Sequence, residues 1–152
     1  MLLRLVLAAA VGGVAVAVAS AWSSEAATGP ANIRITNKQV RYERVDVGRR
    51  GRTPGDTEVI VSLLYNRRVT KKAIGHADFV CTFTLDTSRS CDGTIFLPAG
   101  QLRVGGSIRF RQIYALAVLG GTGLYDNARG MVTVTRLGRN PRRELMFFRL
   151  TG

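Results

Sequence analysis

The sequence predicts an all-β, antiparallel fold of about eight short strands, closed as a barrel or stacked as a sandwich. Three observations carry that prediction. Segments rich in Val, Ile, Thr and aromatic residues recur after an apolar leader, separated by Gly, Pro and Asn. No stretch beyond the leader keeps a 3.6-residue apolar period for three turns, so helices are not expected. The glycine-rich stretch from Gly120 to Gly130 lies between two β-branched runs and reads as a tight crossing from one strand to the next.

Residues 1–21 read as a cleaved signal peptide: one charge, Arg4, then an Ala/Val/Leu run, then the small-x-small tripeptide Ala19-Ser20-Ala21. The apolar run is short for a membrane span of about 20 residues. Residues 22–31 are small and polar and read as a flexible linker. That leaves residues 32–152 as one domain. Its first strand starts at Ile33 and Ile35 and continues through Val40, Tyr42, Val45 and Val47. The second runs from Glu58 to Tyr65 and the third from Ala77 to Leu85. The fourth, Thr94 to Leu97, is stopped by Pro98, which has no amide hydrogen to give a ladder. The fifth is Gln101 to Val104, ended by Gly105-Gly106. A long sixth spans Ser107 to Val118, with Ile108, Phe110, Gln112, Tyr114 and Leu116 on one face. The seventh is Gly130 to Leu137 and the last Glu144 to Leu150.

Two cysteines flank the polar turn Asp86 to Ser90. If residues 81–85 form one arm of a hairpin, Cys91 falls opposite Cys81, at a spacing compatible with a disulfide. In an exported protein the pair is expected to be oxidised. Two cysteines and the lone His76 are too few ligands for an ordinary zinc site, so no metal is expected.

The formal net charge of +12 falls by one if the leader is removed. It favours anionic surroundings such as envelope polymers or an acidic ligand. The basic residues are scattered, mostly through expected loops, and the aromatic pattern of an RNA-recognition module is missing, so nucleic acid is not an expected partner. The glycines do not form a nucleotide fingerprint. Asp126 stands where the third glycine belongs, no Lys-Ser/Thr follows, and a strand follows where phosphate loops need a helix. No cofactor is expected. With one histidine and two bridged cysteines, a histidine-activated nucleophile has little material. The acids are scattered and offer no evident glycosidase pair. An apolar enclosure with a few polar groups inside remains, the usual form of a small-molecule site.

The pattern GGTG-x-Y-x-x-ARG over Gly120 to Gly130, followed by a Val/Thr strand, resembles the signature of the dirigent and allene oxide cyclase-like barrel family. Gly75 to Cys81 resembles that family's entry into a strand, and Pro98 to Leu102 with Val104 to Ser107 its approach to the next. The resemblance covers roughly residues 56–150 and selects the closed, eight-stranded antiparallel barrel. It implies an apolar or aromatic ligand in the lumen, a reaction steered by positioning, and a dimer or trimer. Leu124 departs from the acid that lignan-forming dirigents often carry there, which counts against the plant lignan reaction.

The candidate ligand-binding residues are Tyr125 and Arg129, at matching motif positions, Gln112 and Tyr114 on the apolar face of the sixth strand, and Asp78 at the start of the third. Each has a structural alternative. Tyr125 would cover a barrel end, Arg129 would pair with Asp126 or Asp78 and lock the crossing, and Gln112 would join a buried polar network. Gly120, Gly121, Gly123 and Gly130 are expected to shape the crossing. The function implied is a secreted barrel that binds a hydrophobic or aromatic small molecule and isomerises, cyclises or stereochemically steers it. The alternative is a non-catalytic, basic protein held to the cell envelope. An apolar lumen with inward polar groups favours the first, and a lumen filled by side chains the second.

Overall fold

A computed structural model of the chain describes residues 31–66, 72–139 and 142–151. The expected signal peptide, nearly all of the expected linker, and the basic cluster around residues 67–71 lie outside them. The strands are β1 (Ala31–Val45), β2 (Thr57–Tyr65), β3 (Gly75–Leu85), β4 (Ser88–Leu97), β5 (Gly100–Arg109), β6 (Ile113–Gly121), β7 (Arg129–Arg139) and β8 (Arg142–Thr151), with a single 3-10 turn at Gly123–Tyr125 between β6 and β7. Each strand pairs antiparallel with the next and β8 returns to β1, closing the sheet as a barrel. Closure leaves no strand with a wholly free edge.

Alternation along the strands sorts the side chains. In β3, Ala77, Cys81 and Phe83 are buried while His76, Asp78, Val80 and Thr82 are exposed. Half of the barrel is filled by apolar side chains, among them Leu64, Ile95, Leu102, Val104, Val132 and Phe148, all essentially inaccessible. That half ends at the β4–β5 turn and at the crossing of residues 122–128. The other half ends at the 46–56 loop, the β3–β4 turn and the corner at residues 110–112. We call this second end the mouth. A bulge between Gln39 and Arg41 sets Val40 out of register with β2 and bends the long first strand around the barrel.

The glycine crossing is as tight as its composition suggests. The Leu124 amide donates to the Ala99 carbonyl at 2.9 Å and the Thr122 amide to the Gln101 carbonyl at 2.9 Å, strapping the crossing to the β4–β5 turn. Gly123 has φ +65° and Gly130 φ +130°. Gly121 is required for closeness instead, since a Cβ there would come within 2.7 Å of the Gln101 carbonyl oxygen.

Strand limits differ from expectation in two places. The fourth strand begins at Ser88, so the β3–β4 connection is shorter than the polar segment suggested, and Cys81 stands directly opposite Cys91 in the register. The two are disulfide-bonded. The expected long sixth strand is instead the end of β5 and the start of β6, with a corner at residues 110–112, and Gly105-Gly106 lies inside β5 rather than in a turn. Ile108, Tyr114 and Leu116 all face the interior, so the period-2 pattern runs unbroken across the corner and conceals it.

Candidate functional site

The mouth half of the lumen is polar. Glu58 on β2 and Arg89 on β4 are 2% and 3% exposed and form an ion pair on the inner face, over the intervening β3. The Tyr42 hydroxyl donates to Glu58 Oε1 at 2.6 Å. An unpartnered charge at this depth would be strongly unfavourable, so each holds the other in place. Above the pair lies Phe110, with the Arg89 guanidinium 5.2 Å and the Arg52 guanidinium 4.5 Å from its ring centroid. It packs on Phe83, with centroids 5.6 Å apart and the rings tilted by 32°. These cation–π contacts hold the Phe110 ring over the mouth.

Beside the pair is a second cluster. The Tyr114 hydroxyl donates to Glu144 Oε2 at 3.3 Å, and Asn37 Nδ2 donates to the same oxygen at 3.2 Å. Arg136 Nε lies 3.6 Å from Glu144 Oε1. Burial, and after it the negative charge of Glu144, push the Tyr114 phenol well above its usual pKa, so it remains a protonated donor at neutral pH. Tyr114, Glu144 and Asn37 line a cavity of about 30 Å³ with apolar walls that include Ile60, Phe79, Ile108, Leu116, Val134 and Met146. The buried Asn37 Oδ1 and Gln39 Oε1 lack hydrogen-bond partners within the described residues, although both residues line the cavity. Arg142 also lines it, and among the described residues no carboxylate pairs with that guanidinium. The cavity therefore presents a phenol donor, a carboxylate, two amide acceptors and a cation. That set could orient a polar substituent on an otherwise apolar ligand.

The residues expected from the sequence are distributed unevenly about this site. Tyr114 is at its centre. Gln112 is not in the lumen: it sits in the corner, exposed, and its amide donates to the Arg136 carbonyl. Asp78 points outward from β3, with His76 Nε2 3.9 Å from its carboxylate, and the His76 ring stacks on Phe96 at 4.2 Å. Arg129 is also on the outer face. Its register partner faces follow Val132, which is buried, so Arg129 and Met131 face away from the lumen. Its Nη1 donates to the Ala128 carbonyl at 3.0 Å, and among the described residues neither Asp126 nor Asp78 pairs with it. Tyr125 packs against the apolar core at the far end of the barrel, its phenol raised in pKa by burial. Glu58, Arg89, Asn37 and Glu144 were not singled out from the sequence. The available signal was weak: in β2 both faces read as apolar, so the inward set of Glu58, Ile60, Ser62 and Leu64 cannot be told from its neighbours.

No protein-family model and no curated protein sequence matches the chain. Solved structures do. A pyocyanin demethylase is 25% identical, with a TM-score of 0.69 over 80% of this chain and 100% of that one. A pterocarpan synthase dirigent protein is 14% identical, with a TM-score of 0.63 over 80% of this chain and 85% of its own. An exo-specific intermolecular Diels-Alderase is 16% identical, with a TM-score of 0.62 over 82% and 99%. The chain thus shares its barrel fold with a demethylase, a dirigent protein and a Diels-Alderase.

Proposed function

We propose that the chain is an exported barrel whose mouth-side lumen binds a small, largely apolar or aromatic molecule. It would promote reaction by positioning: isomerisation, cyclisation or stereochemical steering. The observation that carries this is the Tyr114–Glu144–Asn37 cluster, placed beside the buried Glu58–Arg89 pair on the wall of an apolar cavity. In such a site Tyr114, held protonated, exchanges its bond to Glu144 for one to a carbonyl or ether oxygen of the ligand, which frees Glu144. Glu144 accepts a proton from an adjacent carbon or hydroxyl, and Arg136 and Arg142 offset the charge that develops. The neighbours named for pyocyanin demethylation, pterocarpan synthesis and Diels–Alder chemistry support a small-molecule site in this kind of barrel.

The cavity of about 30 Å³ holds a water or two, whereas a drug-sized ligand needs roughly 300 Å³. Binding therefore requires the side chains around the cavity to move apart. The same filled lumen favours a second reading, a non-catalytic basic envelope protein. Native mass spectrometry of the purified protein separates the two. The lumen reading expects a co-purified apolar molecule of a few hundred daltons, retained by the wild type and lost from Tyr114→Phe and Glu144→Gln variants that melt as the wild type does. Ligand-free spectra together with no uptake from an aromatic compound library would leave the second reading.

A further inference from the structure

The β5–β6 pair is hydrogen-bonded only from Leu102↔Gly121 to Gly105↔Ala117. Beyond that point both strands continue, β5 to Arg109 and β6 back to Ile113, yet they no longer pair with each other. Each remains fully paired on its other side, β5 with β4 as far as Ser88↔Arg109 and β6 with β7 as far as Ile113↔Thr135. The result is a cleft in the barrel wall that opens toward the mouth. Its causes are local. Gly105 is the last paired residue, and Gly106, at φ +149°, ends the ladder while still lying against Leu116, so the cleft begins beyond it. The corner is then tied to both flanks: the Phe110 amide donates to the Thr87 carbonyl at 3.3 Å and the Arg136 amide to the Gln112 carbonyl at 3.0 Å. A three-residue connection is long enough to close an ordinary hairpin, where strands lie about 4.8 Å apart. Here it folds tightly, with the Arg111 amide donating to the Arg109 carbonyl at 2.7 Å, and its bonds go to the flanking strands.

The cleft forms a groove of about 360 Å³ whose walls include Ser107, Ile108, Arg109, Arg111, Ile113 and Tyr114. Ile108 and Tyr114 also line the lumen cavity, so those two side chains are shared between the outer groove and the inner site. Ser107, Arg109 and Arg111 in turn border a second groove on the Phe110 side. Among the described residues no carboxylate pairs with Arg109 or Arg111, and both are exposed.

We infer that the β5–β6 cleft is the entrance to the lumen and an anion subsite, taking ligands with an acidic group attached to an apolar or aromatic body. The anion rests on Arg109 and Arg111, and the body passes Ile108 to reach Tyr114. This rests on the lumen reading above and adds the ligand's charge and route. A matched pair of fluorescent probes tests it: 8-anilinonaphthalene-1-sulfonate and its uncharged counterpart N-phenyl-1-naphthylamine. The wild type should bind the sulfonate about tenfold more tightly, the scale of one charge-assisted contact. The double variant R109Q/R111Q should lose that advantage and bind the neutral probe within about twofold of wild type. R49Q/R50Q, which removes two exposed charges from the 46–56 loop, should change neither. Ser107→Trp, which fills the groove, should weaken both probes at least about fivefold. If the two double variants lose the sulfonate equally, or if Ser107→Trp binds both probes normally, the cleft subsite is overturned and the lumen reading stands. If the wild type binds neither probe, both fall.

Discussion

At the scale of single residues, the tightest constraints sit at the two ends of the barrel. At the closed end, Gly123 has φ +65°, and a Cβ there would lie 2.5 Å from the Ala99 carbonyl oxygen. Gly123→Val should therefore lose more than about 1 kcal/mol, read as a fall in the chemical denaturation midpoint, because a β-branched residue is strained in both respects. A variant that unfolds at the wild-type midpoint would contradict this account of the crossing. At the mouth, Asp56 is inaccessible and accepts from the Thr53 and Val47 amides, the Thr53 hydroxyl and Arg44. The Thr53 and Val47 amides above all hold its carboxyl below the ordinary 3.8. A carboxyl depressed on folding adds stability above its unfolded-state value and loses it as pH falls through the folded-state value. The Tm gap between wild type and Asp56→Asn should thus be widest near neutral pH and narrow below about pH 3.8. A gap that stays constant down to pH 2 would mean that the carboxylate charge does not anchor the 46–56 loop. Arg129 teaches the opposite lesson at this scale. Its motif position was legible, but which face of β7 turns inward depends on the register of the whole barrel, and the register sets it outside.

At the scale of elements, the β3–β4 hairpin was readable because its turn is polar and its two cysteines pin the register, Cys81↔Cys91. Both cysteines are at most 4% exposed and line the lumen cavity. Closing a loop of 10 residues in sequence is worth roughly 2–3 kcal/mol in the chain-entropy view. The oxidised protein should show no alkylation without denaturant, and reduction under denaturing conditions followed by refolding should give a protein with a clearly lower Tm. Rapid labelling of both thiols in the folded, unreduced protein would refute the bond. The β5–β6 region was misread for a physical reason. Adjacent glycines usually mark a turn, and an unbroken alternation usually marks one strand. Here Gly105-Gly106 serves a divergence of strands, and the corner at 110–112 keeps the alternation in phase, so both cues point the wrong way. The strand count survives because one misplaced boundary offsets the other.

At the scale of the whole molecule, the barrel is an apolar plug at one end and a charged chamber at the other, and only the first half was legible. Apolar periodicity reports a core, but a buried Glu58 or Arg89 looks in sequence like any exposed strand charge until the register of β2 and β4, on either side of β3, turns both to the inner face. Closure also makes the pair consequential. In an open sheet either charge would reach water when its partner was removed, whereas in the closed barrel Arg89 is roofed by Phe110 and Glu58 is held by Tyr42. Removing one partner leaves an uncompensated charge, which costs on the order of 3–5 kcal/mol, while replacing both with uncharged groups of similar size is often close to neutral. Glu58→Gln and Arg89→Met should each unfold at distinctly lower urea concentration than the wild type. The double variant should recover most of the loss, giving a coupling of at least about 1 kcal/mol in a double-mutant cycle. Additive losses would show that the two charges are solvated independently. The mouth half would then already be open to water.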